Sequence, residues 1–266
     1  MILENGELKV IVKQASDNLL RFDRTGIVQQ VIRKKDGLNY LTKEHLGDET
    51  NGGVGICNEF CPTIPIGYSE AKIGEYFLKP GIGCLKKKAD QPYNFNHKYE
   101  LVPEDIEMIS GGNWVSYYGR ADPKGGYAYA HSKKILLKEN RIIIEYMLEN
   151  TGEKPFYAEE YAHNFFTYND TDEDNYYLDL EKMEIESFQY SEEKGLSYAT
   201  WHKRPDRYSY TVYEKNTRSS ITESGNFSPV KFKLWKNDHC YCPECFIGIA
   251  LDVNKSKKWA RQYEFL

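Results

Sequence analysis

The sequence predicts an all-β chain of antiparallel strands, and three observations support that reading. Apolar and polar residues alternate in short runs, the period of a half-buried strand. In the clearest of these, Ile142, Ile144, Tyr146 and Leu148 share one face while Arg141, Glu145 and Glu149 share the other with Ile143 and Met147. Similar runs fall at residues 8–12, 28–32, 98–102, 114–118, 127–137, 208–213 and 231–235. Turn chemistry separates them, with Asp36-Gly37, Asn51-Gly52-Gly53, Gly111-Gly112-Asn113, Pro123 to Gly126 and Asn150-Thr151-Gly152. No long window carries apolar residues at the helical spacing. Strands without intervening helices make a sandwich or a barrel.

Composition narrows the partners. The chain holds 22 Tyr, 12 Phe and 4 Trp, residues that favour strands and present flat faces suited to the C–H faces of a sugar ring. Its formal charge is −5, from 40 acidic and 35 basic residues, which excludes the cationic footprint of a nucleic-acid binder. Lys86, Lys87 and Lys88 form the one dense positive run, expected as a solvated turn. No stretch reaches the length of a membrane span, and residues 1–6 lack the pattern of a secretory signal. The six cysteines are therefore expected in a reducing, cytoplasmic setting. No linker or low-complexity stretch divides the chain, so one domain is expected over residues 1–266.

Three segments carry candidate chemistry. The acidic run 169–175 has clustered oxygens of the kind calcium takes, but lacks the glycine of a calcium loop; it reads as a surface loop. Glu159-Glu160-Tyr161-Ala162-His163-Asn164-Phe165-Phe166 places a histidine among aromatics, with Tyr161, His163 and Phe165 on one strand face and Ala162, Asn164 and Phe166 on the other. His163 can serve as a general acid or base near neutral pH, or as a structural residue. The run His239-Cys240-Tyr241-Cys242-Pro243-Glu244-Cys245, with Cys57 and Cys61 upstream, has zinc-like spacing. Its surroundings read as strand, where such thiols behave as small apolar residues, and no metal is expected. Glu244 precedes the apolar run 246–251, and reads either as a carboxyl whose pKa that setting raises, able to act as a base near neutral pH, or as an edge-strand glutamate in solvent.

Three blocks together resemble the galactose mutarotase-like (aldose 1-epimerase) superfamily. They are Gly55-Ile56-Cys57-Asn58-Glu59-Phe60 with Gly67-Tyr68 and the run from Gly74 to Lys87; Tyr161 to Phe166; and Cys242-Pro243-Glu244 followed by Trp259-Ala260-Arg261-Gln262-Tyr263-Glu264-Phe265. The resemblance spans residue 50 to the end. It implies a large antiparallel β-sandwich that binds a sugar on one sheet face and interconverts its anomers without a cofactor. It implies Glu244 as the base on the anomeric hydroxyl and His163 as the acid on the ring oxygen. Asn58, Glu59, Lys79, Lys86, Tyr161 and Asn164 are the expected sugar-binding residues. The chain departs from the pattern at three positions. Ala162 stands where an asparagine usually precedes the histidine, with Asn164 after it. An earlier histidine and an arginine lack matching motifs; His97 and His131 are the nearest histidines, and Lys79 or Lys86 would replace the arginine.

The expected function is an aldose 1-epimerase-like isomerase acting on a small sugar. Two alternatives stand beside it: a non-catalytic carbohydrate-binding protein on the same fold, and a lyase or hydrolase drawing two carboxylates from Glu59, Glu75 and Glu244.

Overall fold

The computed structural model describes residues 1–13, 20–46, 52–167, 175–191 and 196–266. The alternation between Arg141 and Asn150 is realised there as a strand in which Ile142, Ile144, Tyr146 and Leu148 are buried and Glu145 is exposed. In chain order the described strands are β1 (Ile2–Glu4), β2 (Leu8–Lys13), β3 (Ile27–Arg33), β4 (Ile56–Phe60), β5 (Tyr76–Lys79), β6 (Gly83–Lys86) and β7 (Leu101–Pro103). Next come β8 (Asp105–Ser110), β9 (Trp114–Arg120), β10 (Tyr129–Lys138), β11 (Arg141–Asn150), β12 (Phe156–Asn164), β13 (Phe166–Thr167) and β14 (Tyr176–Asp179). The last are β15 (Ser187–Ser191), β16 (Leu196–Thr200), β17 (Tyr208–Glu214), β18 (Ser219–Gly225), β19 (Lys231–Lys236), β20 (Cys240–Leu251) and β21 (Ser256–Phe265). One 3-10 turn, Glu181–Met183, is described among them.

The strands form three antiparallel sheets. The first runs β1-β2-β3-β4-β12-β20-β19-β16-β15, with β13 also paired to β20. The second runs β14-β17-β18-β21-β11-β10-β9-β8, and the third is the small sheet β5-β6-β7. The two large sheets enclose one apolar core that takes Val10, Val31 and Phe60 from the first and Ile135, Ile144 and Trp259 from the second. The expected antiparallel β-sandwich is therefore the observed architecture.

Two sequence features set the geometry around β4, β12 and β20. Gly55 enters β4 at φ +66, and a Cβ there would lie 2.0 Å from the Val28 carbonyl, so only glycine lets β4 close on β3. Pro243 sits within β20 at the centre of the sheet. Regular pairing of β12 with β20 ends at Tyr161 opposite Phe246, then resumes in the same register at Phe166 opposite Tyr241. Proline has no N–H to give a neighbouring strand, and the gap in the ladder spans Cys242 to Cys245.

A polar cluster crosses the core beneath this gap. Arg261 donates to Glu160 at 2.8 Å and to Glu223 at 3.0 Å, all three with no side-chain exposure. It also donates to the Tyr208 hydroxyl at 2.7 Å and the Cys245 carbonyl at 3.0 Å. Buried charges persist when they are paired and hydrogen-bonded like this.

Candidate functional site: a Glu–His pair in a cleft on the outer sheet face

Strand alternation sorts the residues of β4, β12, β19 and β20 into two sets. Glu59, Tyr161, His163, Lys231, Lys233, Trp235, Glu244 and Phe246 line a cleft of about 850 Å³ on the face turned away from the second sheet. Loop residues Arg21, Glu44, Thr63 and Phe95 complete its walls. Such a volume is ample for a monosaccharide, and the lining mixes aromatic faces with convergent polar groups. Tyr161 and Phe246 stack at 4.4 Å between ring centres, and His163 stacks on Phe165 at 4.1 Å.

Continuing the β12–β20 register from Tyr161 and Phe246 puts Glu244 opposite His163. Their side chains meet, with His163 Nε2 3.3 Å from Glu244 Oε1 and both nearly inaccessible. Burial pushes the Glu244 carboxyl up to about 8, against the opposing charges of Lys233 and Arg21. Burial, then the same two cations, hold His163 well below its ordinary value. His163 Nδ1 is buried without a hydrogen-bond partner, so no carboxylate supports an imidazolium from behind. The resting pair therefore carries a single proton, on Glu244, beside a neutral imidazole. Moving that proton across the contact gives the ion-paired form at the same proton count.

Glu59 anchors the floor. It accepts from Tyr161 Oη at 2.6 Å, Lys79 Nζ at 3.1 Å and Arg21 Nε at 3.2 Å. Burial alone would raise its pKa, but Lys79 and Arg21, with the Tyr161 hydroxyl, outweigh burial and keep the carboxyl below its ordinary value. Arg21 also pairs with Glu44 at 3.1 Å and lies 4.5 Å from the ring centres of both Phe22 and Phe95. Lys79 reaches this point from β5 and donates at 3.0 Å to Tyr93.

Of the residues expected from sequence, Glu244, His163, Glu59 and Tyr161 come together in the cleft, with Lys79 behind Glu59. Three expected sugar contacts lie elsewhere. Asn58 and Asn164 belong to the inner set, because each adjoins a cleft residue in a strand and so points the other way. Asn58 donates to Glu160 at 2.7 Å and accepts from Tyr146 at 2.9 Å. Asn164 donates to Glu223, Pro243 and Tyr210 at 2.6, 2.8 and 3.0 Å. Lys86 is partly exposed on the small sheet and pairs with Glu100 at 3.1 Å. Glu75 is exposed and caps the Lys72 N–H at 2.9 Å, apart from the cleft. His131 is in the core against Glu104 at 2.9 Å, and His97 contacts Gln91 at 3.0 Å.

Arg21, Lys233 and Trp235 are cleft residues that the motifs did not single out. The alternation of Lys231, Lys233 and Trp235 in β19 marks a shared face, but nothing local says that this face lines a cleft. Cys57, Cys240 and Cys242 pack with Phe22, Ile27 and Phe165 in a small apolar cluster. No group of three or more metal-ligating side chains occurs among the described residues. The acidic run 169–174 lies outside them. No described helix is long and apolar enough to cross a membrane.

This fold is the galactose mutarotase-like fold. A galactose mutarotase-like protein from Lactobacillus casei ATCC 334 superposes with a TM-score of 0.64 at 14% identity, over 100% of this chain and 99% of that one. The galactose mutarotase related enzyme from Lactobacillus acidophilus gives 0.68 at 10% identity, over 100% and 97%. A galactose 1-epimerase from Lactobacillus acidophilus NCFM gives 0.52 at 13% identity, over 100% and 93%. No protein-family model matches the chain, and no curated protein matches it in sequence.

Proposed function

We propose that the cleft binds a sugar and catalyses interconversion of its anomers, the reaction of an aldose 1-epimerase. The observation that carries this reading is the 3.3 Å contact between His163 Nε2 and Glu244 Oε1 at the bottom of an aromatic-lined cleft. Opening a pyranose ring removes a proton from the anomeric hydroxyl, adds one to the ring oxygen and breaks the bond from C1 to that oxygen. Both oxygens are attached to C1, so the donor and acceptor of the two protons must lie close together.

A pair that shares one proton meets that requirement without outside help. In its resting form Glu244 supplies the proton and His163 Nε2 takes the other; in the ion-paired form the roles are those the resemblance implies. Rotation about the C1–C2 bond of the open aldehyde, followed by the reverse transfers, closes the ring with C1 inverted and returns the pair to its starting state. Glu59, Arg21 and Tyr161 present further donors and acceptors to ring hydroxyls, and Phe246 with Tyr161 offers apolar surface to the ring face. Each proton-transfer group contributes on the order of 10²–10⁴ in rate.

Polarimetry of freshly dissolved α-D-glucose and α-D-galactose tests this reading. The protein should accelerate the decay of optical rotation, and Glu244→Gln and His163→Ala should each abolish most of the acceleration. Sugar binding without acceleration would replace the enzyme by a carbohydrate-binding protein on the same fold.

A further inference from the structure

Among the described residues, Lys233 is the cleft cation that makes no ion pair. Arg21 is held between Glu44 at 3.1 Å and Glu59 at 3.2 Å, Lys79 pairs with Glu59 at 3.1 Å, and Lys231 pairs with Glu159 at 3.1 Å. Arg21 and Lys79 thus balance Glu44 and Glu59, and Lys231 balances Glu159. The Lys233 ammonium lies over the Tyr198 ring at 5.4 Å and the Phe246 ring at 5.1 Å, with no hydrogen bond or ion pair among the described residues. Its backbone partner in β20 is Glu244, but that carboxyl is turned to His163 and burial keeps it protonated at neutral pH. Among the described residues one positive charge is left over, half-buried and facing the ligand space.

We infer that the sugar taken by this cleft carries an acidic group, which the Lys233 ammonium receives beside the Glu244–His163 pair. This rests on the proposed sugar-binding role of the cleft and specifies the substrate class. A neutral hydroxyl gives Lys233 one hydrogen bond but leaves its charge unmatched, and an unmatched charge withdrawn from water is costly. An anion satisfies both. The surplus is a single charge on a compact ammonium, which one monoanionic group neutralises. That favours the one carboxylate of a uronic acid over a dianionic phosphate. Lys86 and Lys87 are engaged elsewhere, with Glu100 at 3.1 Å and Asp90 at 3.5 Å. Neutralising Lys233 also removes a charge that draws the proton off Glu244, so an acidic substrate sustains the protonated form of the pair it is to use.

Anomerisation rates should be measured by polarimetry and NMR exchange for D-galacturonate, D-glucuronate, D-glucose 6-phosphate, D-galactose and D-glucose, with wild type, Lys233→Met and Lys233→Arg. The uronates should exceed their parent hexoses in kcat/KM by at least about tenfold, the scale of one hydrogen bond to a charged group. Lys233→Met should cut the uronate-to-hexose ratio by roughly 10- to 100-fold, and Lys233→Arg should restore part of it. A wild-type preference for neutral hexoses, or a ratio unmoved by Lys233→Met, overturns the inference. A preference for glucose 6-phosphate over both uronates keeps the acidic group and overturns its identification as a carboxylate. Calorimetric titration with D-galacturonate separates this inference from the one beneath it. Binding lost in Lys233→Met, with no acceleration of any sugar, upholds the charge reading and rejects anomerisation. Acceleration of hexoses with no uronate binding does the converse.

Discussion

Asn164 Nδ2 lies 2.8 Å from the carbonyl oxygen of Pro243, so a core side chain holds the backbone immediately before Glu244. On the other side, Arg261 donates to the Cys245 carbonyl at 3.0 Å. These two bonds bracket Glu244 where the ladder with β12 is interrupted, and side chains from below replace the hydrogen bonds that the neighbouring strand does not supply.

Asn164→Ala should lower unfolding free energy by about 2–4 kcal/mol, because it leaves buried acceptors and the Tyr263 hydroxyl without their partner. Denaturant titration measures that loss. The folded variant should show a lower kcat for anomerisation with a smaller change in KM, since Asn164 aligns Glu244 without facing the cleft.

Arg261→Met should cost about 3–5 kcal/mol by leaving Glu160 and Glu223 buried without their shared cation. Adding Glu160→Gln and Glu223→Gln to Arg261→Met should recover part of the loss. Equal instability of the single and triple variants in denaturant titration would mean that packing, not charge, is what Arg261 supplies.

The rate should depend on pH through the proton shared by Glu244 and His163. Above about 8 the pair loses that proton and no acid remains, so kcat/KM should fall along an alkaline limb centred there. Lys233 favours ionised Glu244, so Lys233→Met should move the limb to higher pH. A pH–rate profile of each protein reads the shift directly.

Stability should carry the same signature. The folded-state value of Glu244, about 8, lies above its ordinary 4.5. Its favourable contribution is therefore complete below the ordinary value and is lost as pH rises through the folded one. Glu244→Gln, which cannot ionise, should match wild type near the acid end of this window. Its thermal midpoint should exceed wild type increasingly towards the alkaline end. A constant difference across that window would place Glu244 in solvent-like surroundings.

Much of the fold was legible locally. The runs at 8–12, 28–32, 114–118, 208–213 and 231–235 fall within β2, β3, β9, β17 and β19, because a half-buried strand writes its burial into alternation. The same alternation already separates His163 from Asn164 and Glu59 from Asn58, so it contained the reason that the two asparagines face the core. The resemblance groups Lys86 with the site, yet its strand lies in the small sheet, where Glu100 claims it. Pairing across the chain was not legible. That β12 lies between β4 and β20, bringing Glu59, His163 and Glu244 to one face, follows from pairings separated by 85 to 108 residues. Arg21 and Lys233 gain their meaning only from that assembly.

The period-two division of β4, β12 and β20 makes the cleft and the charged core two readings of the same strands. Inserting one residue within β12 would exchange them beyond the insertion, driving His163 inward against the second sheet and Asn164 outward. A change of length in these strands alters both faces at once. Loop length at the rim is free of that constraint, so descendants of this chain have room to vary there in how a ligand enters, while the count of residues from Glu160 to Asn164 stays fixed.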